Sequence, residues 1–140
     1  MVKRIKDKNN LIKYGKLPIT KRHYYRLYFW KDRQAMLSNT VANPDGTAAC
    51  CCFEPTRIRI YEDGKEEIDQ QPKLGELHFV DGYTSDEIIA HELGHALLHR
   101  MRVLTPTAQD VMNQEGQAEE EICYQLGEAF VSVKEWLNQS

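Results

Sequence analysis

The sequence predicts an α+β fold, a small twisted antiparallel or mixed β-sheet packed against a central helix and a C-terminal helix. Short runs rich in aromatic and β-branched residues, separated by turn residues, recur as far as Val80. Beyond Val80, two stretches repeat their apolar residues at helical spacing. Strands first and helices last is the order of an α+β domain. At 140 residues the chain is long enough for one hydrophobic core.

Residues 1–22 read as a basic N-terminal arm, Lys-rich and broken by Gly15 and Pro18, ahead of a domain over 23–140. His23 to Trp30 is dense in aromatics and predicts a strand, with a short helix through Leu37 as the alternative. Asn43-Pro44-Asp45-Gly46 is a turn signal, followed by a buried strand from Thr47 to Phe53. Glu54-Pro55-Thr56 breaks the chain, and Arg57 to Tyr61 alternates like a half-buried strand. A turn at Glu62-Asp63-Gly64-Lys65 leads into a polar loop up to Lys73, and Leu77 to Val80 forms a last short strand. The first long helix is expected to be capped by Thr84, with Glu87 completing a capping box, and to run to about Met101. Thr105 and Pro106 stop it, and the loop from Arg102 to Gln114 is placed to cover a cleft. The second helix is expected from near Gln117 to Leu137, where Ile122, Cys123, Leu126, Phe130, Val133 and Leu137 recur at helical spacing.

Composition narrows the classes. The chain is 41% hydrophobic and 28% charged, the balance of a globular protein rather than a disordered one. No apolar run approaches the ~20 residues of a membrane span, and no signal-peptide core follows the basic start, so a cytoplasmic protein is expected. Net charge is −3, but residues 1–33 carry 11 Lys and Arg against Asp7 and Asp32. Such an arm can touch nucleic acid or an acidic partner, or fold back on its own acidic domain. Of the four cysteines, Cys50, Cys51 and Cys52 are adjacent, a poor disulfide framework without the two spaced pairs of a zinc ribbon. They are expected to be reduced and buried as small hydrophobes.

The chemistry concentrates in His91-Glu92-Leu93-Gly94-His95, an H-E-x-x-H pattern. Residues four apart sit one turn apart on one helix face, so both imidazoles can reach one ion. Glu92 stands close enough to take a proton from a water that a zinc ion acidifies. Burying two unpaired histidines and a carboxylate without such a partner is costly. His99 is a further turn along, but three successive turns spread the side chains over roughly 12 Å, too far for one zinc. The metzincin pattern, with a Gly and a third His downstream, is excluded because Leu98 and Met101 occupy those positions. A third ligand is sought in the second helix, where Glu119 and Glu120 each adjoin apolar positions and Glu121 faces solvent. Gly94 and Gly127 are candidates for letting the two helices approach closely.

From about Leu74 to Leu137 the chain resembles the ImmA/IrrE family of metallopeptidases, within the gluzincins. The strand LGELHFV, the helix EIIAHELGHALLH and the helix EEEICYQLGEAF carry the resemblance, most specifically HELGHALLH. It implies a zincin-like fold and a zinc ion held by His91, His95 and Glu120, with Cys123 at the family's small position. Tyr124 stands where the family usually has Asn, which leaves Glu119 open as the third ligand. The resemblance also implies a strand edge that aligns an extended peptide, for which Leu77 to Val80 is the candidate. Family members in phages and mobile elements include some that cleave a regulator, so a transcriptional regulator is the implied partner.

The leading expectation is a zinc metalloendopeptidase with Glu92 as its base and Tyr83, Tyr124 or His99 as oxyanion donor. The competing expectation is a non-catalytic zinc-binding regulator whose basic arm contacts a protein or nucleic acid. A zinc hydrolase acting on something other than a peptide is the third.

Overall fold

The computed structural model describes residues 8–40, 49–54, 57–69, 71–104 and 117–139. A four-stranded mixed sheet is built from β1 (Leu11–Pro18), β2 (Tyr24–Trp30), β3 (Ala49–Phe53) and β6 (Lys73–Val80), in the order β1-β2-β6-β3. β1 runs antiparallel to β2, β2 parallel to β6, and β3 antiparallel to β6. A separate hairpin pairs β4 (Arg57–Ile60) with β5 (Glu66–Asp69). A 3-10 turn (Lys8–Asn10) precedes β1, and the described residues form three α-helices: α1 (Arg33–Ser38), α2 (Asp86–Leu104) and α3 (Gln117–Asn138). The α+β class and the mixed sheet agree with the sequence.

Successive strand residues point to opposite faces, and this sheet buries both. On one face, Tyr25, Leu27, Phe29, Leu77 and Phe79 meet Ile89, Leu93, Ala96 and Leu97 of α2 and Ala129, Val133 and Leu137 of α3. On the other, Trp30, Cys50 and Val80 pack with Ala35 and Met36 of α1. α1 is held at its start by Asp32, whose carboxylate accepts from the Ala35 N–H at 2.8 Å. The two-sided burial covers β6 from Leu74 to Val80, including the polar Glu76 and His78 on the α1 side.

Several expectations change. Leu11–Pro18, expected within a loose arm, is an edge strand whose solvent and core sides alternate. Leu17 and Ile19 join the main core, and Lys13 donates to the Trp136 and Gln139 carbonyls of the α3 end. Gly15 is required there, because a Cβ would stand 2.9 Å from the Trp136 indole nitrogen. Residues 1–7 of the expected arm lie outside the described residues. The polar stretch before Lys73 contains β5, closed on β4 through Gly64 at φ +84°, and β6 starts at Lys73 rather than Leu77. α2 is capped by Ser85, whose hydroxyl accepts from the Ile88 N–H at 3.3 Å. Thr84 is therefore outside the cap, and no capping box with Glu87 forms, since Ile88 occupies the third helical position. α2 also runs through Arg102 to Leu104, while the turn at 43–46 and the rest of the proposed covering loop (105–114) lie outside the described residues.

Two further readings are overturned. A Cβ built on Gly94 or Gly127 meets nothing within 4 Å, so neither glycine serves a close helix approach. β6 is flanked by β2 and β3, which occupy both of its edges. Leu77 to Val80 thus has no free edge for a peptide, and among the described residues β3 is the outer strand on that side.

Candidate metal centre

α2 is amphipathic in a way that separates the motif's side chains. Ile89, Leu93, Ala96 and Leu97 enter the core, while His91 and His95 emerge to solvent. Their one-turn spacing brings the two Nε2 atoms to 3.1 Å, with the rings nearly perpendicular at 83°. Glu92 turns inward and is only 6% exposed, with Oε2 buried and lacking a hydrogen-bond partner among the described residues. Burial raises its carboxyl above the usual carboxylate range, against the partial offset of His91 and His95. Cys51 of β3 lies beneath, its thiol pushed up first by burial and then by the nearby Glu92 charge.

The spacing matches two donors of one metal as well as a hydrogen bond between the rings, and among the described residues no third donor lies with the pair. Two imidazole nitrogens bound to a tetrahedral zinc at 2.0–2.1 Å stand about 3.4 Å apart, close to the observed separation. An unpartnered buried carboxylate beside them is an expensive feature for a purely structural helix and a useful one for proton transfer.

The other expected participants are not gathered at this pair. Glu120 is exposed in the first turn of α3. α3 runs antiparallel to α2, since Lys134 pairs with Asp86 at 3.1 Å while Tyr124 and Gln125 share a cleft of about 420 Å³ with Arg100. Glu120 therefore lies toward the C-terminal end of α2, past the level of His95. Of Glu119 only the backbone is described, and Glu121 is exposed, as expected. Among the candidate oxyanion donors, Tyr83 and Tyr124 are exposed. His99 is buried, stacked on Phe53 at 3.9 Å and edge-on to Tyr25, with its Nε2 unpartnered among the described residues. Burial, then the Arg102 charge, lowers its pKa and favours the neutral ring.

A second group went unread in the sequence. Cys50 and Cys52 of β3 and His78 of β6 place one ligand atom each within 4.8 Å of one another, on the sheet face opposite α2. The Cys-x-Cys alternation that sends both thiols to one face was a legible signal. The antiparallel register setting Cys50 opposite His78 is a long-range pairing and was not. None of the four cysteines is in a disulfide among the described residues; Cys50 is buried, Cys51 and Cys52 half-buried and Cys123 exposed.

Comparison of the chain with protein-family models, curated proteins and solved structures finds no match. Among the described residues, no helix is long and apolar enough to cross a membrane.

Proposed function

We propose that the protein is a zinc-dependent metalloendopeptidase of the gluzincin type. The observation that carries this reading is the buried Glu92 carboxylate, unpartnered among the described residues and within charge range of two histidines whose Nε2 atoms stand 3.1 Å apart. His91 and His95 would hold the ion; on the family resemblance alone the proposed third ligand is Glu120, which stands away from the pair in this structure, with Glu119 as its alternative.

A bound zinc supplies a Lewis acid that acidifies water and polarises a carbonyl. The chain's own residues manage the proton. Glu92 Oε2, with no competing hydrogen bond, accepts a proton from the attacking water and returns it to the leaving amine. Its raised pKa suits both steps better than that of an exposed glutamate. The Leu93, Ala96 and Leu97 side of α2, anchored in the core, keeps this carboxylate fixed relative to the histidines.

A peptide substrate is proposed to align along the outer edge of Ala49–Phe53, the strand under α2, by β-augmentation. A transcriptional regulator is the proposed substrate class, on the strength of the family resemblance alone. The test is to incubate the zinc-loaded protein with a cellular protein extract and identify new N-termini by mass spectrometry. Cleavages abolished by a chelator and restored by zinc support the reading. Their absence across regulators and extract alike would contradict it.

A further inference from the structure

We propose that Cys50, Cys52 and His78 form a second metal site, selective for a zinc-like ion and separate from His91 and His95. The two sulfurs are 3.9 Å apart. Two thiolates bound at about 2.3 Å in a tetrahedral shell stand about 3.8 Å apart, so little movement is needed to chelate. The donors are cross-strand neighbours, with Cys50 opposite His78 and Cys52 opposite Glu76, which gives the site a rigid frame.

The His78 ring is fixed by a partner on each of its two nitrogens. Trp30 donates its indole N–H to Nδ1 at 3.0 Å, and Nε2 lies 3.0 Å from the Glu76 carboxylate. The Tyr28 ring stacks on it at 4.6 Å. Glu76 is fixed in turn by Lys73 at 2.7 Å. When an ion binds, Nδ1, the unprotonated nitrogen, exchanges the Trp30 N–H for the metal, while Nε2–H keeps donating to Glu76 and orients the ring. Each thiol gives up its proton as the sulfur–metal bond forms, and no redox change is involved. Two thiolates and one imidazole favour zinc over the hard cations and leave a fourth position for solvent, reached past the half-buried Cys52. The ion would tie the outer strand β3 to β6 on the face opposite α2. The proposal does not depend on the peptidase reading.

The experiment is a cobalt(II) titration of the reduced full chain, followed through the thiolate-to-cobalt charge-transfer band. The His91→Ala/His95→Ala variant should keep this band at one equivalent, and Cys52→Ser should bind that equivalent at least tenfold more weakly. No charge-transfer band in the histidine variant overturns the proposal, whether or not Cys52→Ser folds. An undiminished band in folded Cys52→Ser also overturns it. Loss of the peptidase activity alone, with the band intact, leaves the second site standing and bears on the first.

Discussion

The Tyr25 hydroxyl donates a 2.7 Å hydrogen bond to the Ala96 carbonyl, tying the centre of α2 to the sheet one residue beyond His95. The bond is buried, and the same burial raises the Tyr25 phenol well above its ordinary pKa, so it stays a donor at any working pH. Tyr25→Phe keeps the ring and removes the bond. It should destabilise the fold by about 1 kcal/mol in urea unfolding, the usual net worth of such a bond. An unchanged midpoint would mean that apolar packing alone positions α2.

The Glu76 carboxylate supplies a pH-dependent prediction. Burial alone would raise its pKa, but the hydrogen bonds from His78 and Lys73 prevail and hold it at about 2. A carboxyl depressed below its unfolded value stabilises the fold above that unfolded value, near 4.5, and loses the contribution as pH falls toward 2. Metal-free protein should therefore lose on the order of 2 kcal/mol over this window. Glu76→Gln should be less stable at pH 7 and flatter in its acid dependence. Parallel acid curves for the two proteins would refute the assignment.

Gly127 should accept alanine with a gain. Its added Cβ meets nothing within 4 Å, and an exposed helical glycine is worse than alanine by about 1 kcal/mol. Gly127→Ala should raise the thermal midpoint by a few degrees. A loss of stability would restore the idea of a close helix approach at this position.

The third ligand is open to direct measurement. Glu120→Ala should weaken zinc binding at the His91–His95 pair by at least ~10-fold, measured against a competing chelator with the Cys50 and Cys52 thiols changed to serine. Unchanged affinity would move the assignment, first to Glu119→Ala.

Local patterns made most of the helical half legible. The helical spacing from Ile122 to Leu137 placed α3 within a residue of its observed end, and the H-E-x-x-H spacing placed His91 and His95 together. What stayed hidden depended on distant chain. β1 looked like an arm because its lysines, Gly15 and Pro18 interrupt its apolar residues, yet it pairs with β2 as a hairpin, and the Trp136 contacts that hold Lys13 and Gly15 come from the far end of the chain. β6 looked like a peptide-binding edge because no local feature reveals that β2 and β3 take both of its sides. Glu120 looked half-buried from its neighbours at helical spacing, yet Tyr124 is exposed on the same helix and so is Glu120. Cys50, Cys52 and His78 form a group only through strand register.

The central claim is that Glu92 moves the proton while His91 and His95 hold the ion, and Glu92→Gln separates those roles in one nearly isosteric change. Zinc content and turnover should be measured together on the purified variant and the wild type. The account predicts wild-type zinc at the His91–His95 pair and a fall in turnover of at least ~100-fold, the lower bound for a general base. Wild-type turnover in a zinc-loaded Glu92→Gln protein would contradict it.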